Sequence, residues 1–492
     1  MKELEHNGQS IPKGKRFCTC CGEIKRETAF DGASTHCKAC CEKMLRTRPH
    51  VSGFLLCLLL IGAAAFAAAL IPRGMSVDAL VRKAHAFEDA RALYTACDTY
   101  GEAVELARAG DNALFFKKAD DEESSPAPHF FTLGKRTWRA YCRAYARAYT
   151  RTEAADFAAA HLDKAQIDAT QPMASYAQAS REYNAVMAQV QKIQSEYTYS
   201  TPEEMPYDKI VEVLDKYVEA HDTANIRGYA AYFKGSAAWF HDPAQFETAL
   251  KYYDEMLENV PDEYVSAYTG IAQIGLDGEQ PDVLLRAAEG ILSKNKEHGD
   301  AWSWKAQAQF DKGDIDAAQE TAQAMSKICP DSPLSSMLTI RVALRQDDLP
   351  TASAARDEAA AAYDAKADEI FQSLLSKRTI EQAPERFLRA YVQYSLYAAA
   401  VSLLEGDIDT ARMYGYERAF NYAYYFASIT DDAGLMFQSV FNVAALTASL
   451  AEDEDALRTI VEISDCDDAT RDVINGKISL QDAFCKGKAV IL

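Results

Sequence analysis

Cysteine is almost missing from most of this chain. Of twelve cysteines in 492 residues, six fall within residues 18–41 and one is Cys57. Only Cys97, Cys142, Cys329, Cys466 and Cys485 are spread over the remainder. So sparse and odd a set excludes a disulfide framework; Cys466 and Cys485 could pair, and free thiols are the preferred expectation. Catalytic signatures are absent as well. There is no GxGxxG, Walker loop, HExxH or GxSxG, and of nine histidines only His6 and His36 lie near metal-like sequence. The chain is therefore expected not to be an enzyme. The remaining enzyme reading needs convergent carboxylates in a deep polar pocket, which motifs do not reveal. Positive charge is scarce: 52 Lys and Arg stand against 73 Asp and Glu, a net charge of −21. Residues 73–492 carry −25 of this, while residues 1–50 carry +4. The long acidic part is a poor ligand for nucleic acid or anionic lipid.

Long apolar runs are lacking except for one. Val51–Ile71 (VSGFLLCLLLIGAAAFAAALI) is twenty-one residues without a charge, between Arg46, Arg48 and His50 on one side and Pro72 and Arg73 on the other. As a helix it would span roughly 31 Å, the hydrocarbon thickness of a bilayer. The expectation is a single transmembrane helix over residues 51–72; a buried alanine-rich helix and a cleaved signal peptide are the alternatives. Everything else then falls into place by position: residues 1–50 a small metal-bound knob, 73–204 a helical region, 205–430 a helix array and 431–492 capping helices.

Within the first fifty residues, Cys18-x-x-Cys21-Gly22 and Cys37-x-x-Cys40 are two thiolate pairs separated by fifteen residues. Each pair suits a tight turn, so that four sulfurs can surround one structural Zn²⁺ in a piece too small for a core of its own. Cys20, Cys41 and His36 are adjacent, so each could replace a neighbouring ligand. The run FCTCCGEIKRETAF followed by HCKACCEKM resembles the small zinc ribbons of pattern CxxCGxxK…F…CxxC over about residues 16–43. Some such ribbons lie beside nuclease modules, but no nuclease motif follows here. A four-thiolate zinc site carries about −2, which reduces the basic excess of the knob and favours a protein partner over nucleic acid. Reduced thiolates and the basic residues before the apolar run place the N-terminus in the cytoplasm and the acidic bulk outside, in a bacterial membrane.

Beyond the run the signal is helical. Leu80, Ala84 and Phe87 share a face, Ala92–Arg108 continues the pattern, and the acidic, proline-bearing stretch 119–129 reads as a loop. Thr137–Leu162 reads as one helix whose aromatic stripe, Trp138, Tyr141, Tyr145 and Tyr149, is expected to be packing. A further helix covers 172–197.

The strongest pattern is a period of about 34. In Ala230–Glu263, Phe233, Ala237, Phe240, Ala249, Tyr253 and Pro261 stand at positions four, eight, eleven, twenty, twenty-four and thirty-two. In Gly299–Ser332 the same places hold Trp302, Ala306, Gln309, Ala318, Ala322 and Pro330, and in Tyr264–Glu297 Ile271 and Val283 fill positions eight and twenty. Turns recur in step at Asp277-Gly278, Gly313-Asp314 and Asp347-Asp348. This pattern resembles the tetratricopeptide repeat, in which small residues let two antiparallel helices approach and aromatics fill the space between units. The match covers roughly 206–332 and fades over 333–364, where Ile340 and Ala352 take the key places. A further pair, Glu385–Leu404 and Asp407–Ser428, turns around Gly406, with Ala399 and Ala411 at the close contact. Tyr391, Tyr394, Tyr397, Tyr414, Tyr416, Tyr422, Tyr424 and Tyr425 gather there, either as core or as stacking anchors for a peptide or sugar.

The expected fold class is all-α: a tetratricopeptide-like α-solenoid preceded by one transmembrane helix and a zinc ribbon. The expected function is a membrane-anchored scaffold whose outer helix array binds a protein or peptide, with no small-molecule substrate identified. The alternative is a transmembrane sensor coupling an outer ligand to the zinc knob.

Overall fold

The structure is a computed structural model. It describes residues 5–6, 9–10, 15–30, 34–40, 42, 76–114, 132–161, 173–197, 204–377, 382–427, 434–463 and 466–485. Among these, the only strands are two short antiparallel hairpins near the N-terminus: β1 (Glu5–His6) with β2 (Gln9–Ser10), and β3 (Lys15–Phe17) with β4 (Ile24–Arg26). From residue 76 onward every regular element among the described residues is helical.

The membrane expectation is corrected. The assignment of a tetratricopeptide protein carrying a transmembrane helix does not stand, because no helix among the described residues is long and apolar enough to cross a membrane. Val51–Ile71, on which it rested, lies outside the described residues. So do Cys41, the predicted loop at 119–129 and the ends of several predicted helices. What remains is an all-α array of helix pairs preceded by a small cysteine-rich knob.

The chain divides into two compact units, Met1–Ile271 with Ser293–Glu297, and Ala272–Leu292 with His298–Leu492. In the first, helices 76–89 and Leu93–Leu114 form a hairpin, and Thr132–Ala148 packs on Leu93–Leu114. The predicted single helix over 137–162 is instead broken. Thr150 stands between Thr132–Ala148 and Arg151–His161 and accepts the Glu153 N–H at 3.1 Å on its hydroxyl, the bond of a helix N-cap. The break brings Phe157 back onto the aromatic stripe, stacked on Tyr145 at 4.7 Å and on Trp138 at 5.7 Å. Trp138, Tyr145 and Tyr149 are buried, so the stripe is packing, as expected. Met173–Glu196, Tyr207–Ala220, Ala224–His241 and Phe246–Asn259 complete this unit around Val186, Ile210, Leu214, Tyr229 and Met256.

Helix Tyr264–Asp277 opens a run of pairs with starts at Tyr264, Gly299 and Pro333, spaced by 35 and 34 residues. Their second helices are Pro281–Leu292, Ile315–Ile328 and the long Leu349–Lys377. The small residues singled out by the period are buried: Ala237, Ala249, Ile271, Ala306, Ala318, Ala322, Ile340 and Ala352. Proline at the first position of Pro281–Leu292 and Pro333–Arg345 suits a helix start, where its missing N–H is not needed.

The turns within pairs share one construction. A residue with positive φ ends the first helix, and the N–H of the next residue reaches back to a carbonyl five residues earlier. This is seen at Glu279 (Gln280 to Gly275, 2.8 Å), Gly313 (Asp314 to Gln309, 2.8 Å), Asp347 (Asp348 to Ala343, 2.9 Å) and Gly406 (Asp407 to Ser402, 2.9 Å). Asp314, Asp348 and Asp407 then accept the N–H of Ala317, Thr351 and Thr410 and cap the second helix. One residue stops a helix and its neighbour starts the next. The predicted turn at Asp277-Gly278 sits one place too early, because Glu279 takes the left-handed position. The first helix is thereby one residue longer, and Leu284 rather than Val283 fills the close contact: a Cβ on Gly275 would meet the Leu284 backbone at 2.7 Å.

Gln382–Glu405 follows, then a helix from Ile408 to Ala427 whose middle, Met413–Phe420, is π-helical. Gly434–Leu450, Glu454–Ile463, Asp468–Ile474 and Leu480–Cys485 follow to the end of the described chain. Cys466 and Cys485 are not joined in a disulfide.

Candidate metal centre

The four cysteines singled out by spacing come together. Strands β3 and β4 pair Lys15 with Arg26, Arg16 with Lys25 and Phe17 with Ile24, which leaves residues 18–23 as the connecting loop. Cys18 N–H donates to Glu23 O and Gly22 N–H to Cys18 O, each at 2.9 Å, while Gly22 adopts φ +73°. Glycine takes that left-handed turn without a side-chain clash, and the turn folds Cys21 back over Cys18. The second pair is set by a bridge between Phe30 and Cys37 and a bond from Thr19 N–H to Thr35 O at 3.0 Å. Residues 38–40 then wind into a helical turn, with Cys40 N–H donating to Cys37 O at 2.9 Å.

The thiol sulfurs of Cys18, Cys21, Cys37 and Cys40 all lie within 4.8 Å of one another. Four thiolates at about 2.3 Å from a central zinc ion would be about 3.8 Å apart, so this cluster needs only a small contraction to hold one. Cys18 and Cys37 are fully buried, Cys40 is half-buried and Cys21 exposed, with Phe30 closing the floor. Arg16 covers the Phe30 ring at 5.1 Å.

The electrostatics suit a cation. Burial raises the Cys18 thiol, but the backbone N–H groups of Cys37, Cys21 and Cys20 outweigh it and bring Cys18 down to about 6. The Cys37 N–H lies 3.2 Å from the Cys18 sulfur. Cys40 moves the other way, first through its hydrogen bond with Cys37 and then through burial. Four thiols this close cannot all ionise without a positive charge among them. Cys20 is exposed and does not join the cluster, and Cys41 lies outside the described residues. His36 does not join it either; its Nδ1 lies 3.1 Å from the Thr35 hydroxyl.

The tyrosines weighed as ligand anchors are mostly core. Tyr391, Tyr394, Tyr397, Tyr414 and Tyr422 are buried, whereas Tyr416 and Tyr424 are exposed. Asp364 accepts the hydroxyls of Tyr391 at 2.7 Å and Tyr414 at 3.0 Å, and Asp368 accepts that of Tyr422 at 2.7 Å. Arg418 lies 2.7 Å from the same Asp364 oxygen that receives Tyr391. Nothing in the sequence pointed to Arg418, because it projects from the π-helical stretch, and helical periodicity does not describe a segment of changed pitch. Phe240, counted among the repeat positions, is 60 % exposed.

No family model and no curated protein matches the chain. Among solved structures, a chain of the APC/C hetero-tetramer Cut9–Hcn1 matches at 13% identity over 79% of this chain and 76% of that one, with a TM-score of 0.30. Yeast Tom70 matches at 9% identity over 79% of this chain and 99% of that one, with a TM-score of 0.20. Superpositions this loose establish neither activity nor partner, and the helix pairing described above stands on its own contacts.

Proposed function

We propose that the chain is a non-enzymatic interaction scaffold: its helix pairs bind a protein or peptide, and Cys18, Cys21, Cys37 and Cys40 hold a structural Zn²⁺. The observation that carries the first part is the repeated pairing itself, together with a cleft of about 380 Å³ among helices Ile315–Ile328, Pro333–Arg345 and Leu349–Lys377. Its walls present Gln319, Gln323, Gln346 and Thr339 around an apolar floor of Ala322 and Val342. Side-chain amides offer a donor and an acceptor at once, which is what a peptide group presents. Such a surface suits an extended segment that places an apolar side chain on the floor and its backbone against the amides. The zinc reading rests on the all-thiolate donor set, which favours soft or borderline ions over magnesium or calcium.

The test uses the full chain with a photo-crosslinking residue at Gln323, followed by identification of the captured peptide. A single peptide crosslinked there, and lost when Val342→Trp fills the floor, supports the scaffold reading. Capture that is unchanged by Val342→Trp in a folded protein overturns the assignment of this cleft.

A further inference from the structure

The first unit contains a polar cavity of about 150 Å³, bordered by helices Arg151–His161, Met173–Glu196, Ala224–His241 and Phe246–Asn259 and by the start of Tyr264–Asp277. Three aromatic rings, Tyr183, Tyr229 and Tyr232, and two carboxylates, Asp156 and Glu263, stand in its wall. The rings of Tyr183 and Tyr229 meet edge to face at 5.3 Å, so two walls of the space stand at right angles.

The two carboxylates are not equivalent. Glu263 is 1 % exposed and already satisfied: the Tyr229 hydroxyl donates to it at 3.0 Å, and Arg151 Nε lies 3.5 Å from the same oxygen. Asp156 is an exposed residue with no cation beside it among the described residues, and partial desolvation alone raises its carboxyl above the ordinary value. With Glu263 paired to Arg151, the described lining keeps one carboxylate, Asp156, without a cation beside it. An anion is excluded by that charge. Thr152, Ser180, Asn184 and Ser266 add neutral oxygens to the lining, but with Glu263 paired to Arg151 only one carboxylate is on offer, a weak charge set for a divalent ion.

We propose that this cavity binds a primary ammonium group on a short aliphatic stem, with Asp156 as its counter-ion and the Tyr183, Tyr229 and Tyr232 rings enclosing the stem. The size fits, since a cavity of this volume takes a ligand of about six heavy atoms, and the end of a lysine side chain is of that order. The chemistry fits too. An ammonium donates to a carboxylate in a charge-assisted bond and is attracted to tyrosine faces within about 6 Å. A lysine side chain of a partner and a free alkylamine share this chemistry. The site lies in a different unit from the proposed peptide cleft, so its failure leaves that reading untouched.

The experiment is calorimetric titration of the full chain with n-butylammonium, with the methylamide of Nα-acetyl-lysine, and with n-butanol as the uncharged isostere. The two ammonium probes should bind in the millimolar range and n-butanol about tenfold or more weaker. Asp156→Asn should weaken the ammonium probes by a similar factor, while Glu258→Gln, an equal change of charge on an exposed helix face, leaves them unchanged. Binding of the lysine derivative alone identifies a partner's side chain as the ligand; binding of n-butylammonium alone identifies a free amine. Equal affinity for n-butanol, no binding of either ammonium, or a folded Asp156→Asn variant that binds like the parent overturns the proposal.

Discussion

The Glu297 carboxylate accepts the backbone N–H of Thr95 at 2.9 Å, across 202 residues of chain. Thr95 lies in the first turn of helix Leu93–Leu114, where N–H groups have no partner within the helix and the helix dipole favours a negative charge. The Thr95 hydroxyl donates to the other Glu297 oxygen, and Lys296 N–H donates to Arg91 O at 2.9 Å, so segment Ser293–Glu297 is tied to this turn by three bonds.

Glu297→Ala should therefore lower stability by about 1–3 kcal/mol, because it leaves the Thr95 N–H without its acceptor. The pH dependence has a definite sign. Burial raises the Glu297 carboxyl above its ordinary 4.5 despite the bonds from Thr95. A raised carboxyl contributes most when protonated, and that contribution is lost as pH rises through the raised value. In chemical denaturation, the stability of the parent relative to Glu297→Gln, which mimics the protonated carboxyl, should fall between pH 4 and pH 7. A relative stability that rises over that range would show that the Thr95 bonds outweigh burial.

The turns make opposite predictions for two chemically simple changes. Glu279 holds φ +50° with a side chain that disfavours it, and Gly313 holds φ +74° without one. Glu279→Gly should stabilise the protein by about 0.5–1 kcal/mol, and Gly313→Ala should destabilise it by about 1 kcal/mol. No atom lies within 4 Å of a Cβ added at Gly313, so that loss would come from backbone conformation and not from a clash. Thermal denaturation of the two variants reads both signs directly.

These turns also show what could be read from the sequence and what could not. The close-contact residues Ala306 and Ala318 were legible because two helices can approach only where side chains are small, and that demand repeats with the helix pair. The extra residue before Leu284 was not, because glutamate carries no mark of a left-handed turn and Gly278 beside it does. The gathering of Cys18, Cys21, Cys37 and Cys40 was legible as two turn-sized pairs, with Cys20, Cys41 and His36 left open as replacements, since a tight turn fixes cysteine spacing locally. Arg418 with Asp364, Glu297 with Thr95 and the carboxylates of the ammonium cavity were not. Each joins residues far apart in the chain, and no local period encodes such a meeting. The aromatic-rich stretch around Tyr391 could be read either way until burial was known, because a tyrosine that reaches an aspartate from the core has the same spacing as one that faces a ligand.

For the metal centre, the full chain is expected to bind one Co²⁺ or Zn²⁺ per molecule. Co²⁺ should give the strong sulfur-to-metal absorption of a tetrahedral thiolate site. Cys18→Ser and Cys37→Ser, which remove the two fully buried sulfurs, should abolish that absorption, whereas Cys20→Ser should leave it intact. Chelation should disorder residues 15–30 and 34–40 without changing helix content, because the core beneath them among the described residues is Phe30, Ala29 and the cysteines themselves. Retention of the absorption in Cys37→Ser would require a different fourth ligand.

A last prediction concerns acid stability. Glu88 is 13 % exposed and gathers three partners: the Tyr100 hydroxyl donates to it at 2.8 Å, His85 Nδ1 lies 3.1 Å away, and Arg147 reaches its other oxygen at 3.0 Å. Burial alone would raise the carboxyl, but the bonds from His85 and Tyr100 and the charge of Arg147 outweigh it and bring Glu88 below its ordinary 4.5. Neighbouring Asp89 goes the other way, raised by burial, and so cannot supply the same effect. A lowered carboxyl stabilises the fold above its unfolded value, and the stabilisation is lost as pH falls through the folded value. Glu88→Gln should therefore cost about 1–2 kcal/mol at pH 7 and progressively less below pH 4.5, so that its acid unfolding limb is shallower than the parent's. Because Arg147 is 60 % exposed, added salt should reduce this difference only slightly, leaving the Tyr100 and His85 bonds as its main source. Urea denaturation of both proteins from pH 7 to pH 3, at low and high salt, separates the contributions: a gap that is constant with pH would mean that Glu88 is held by packing and not by its charge.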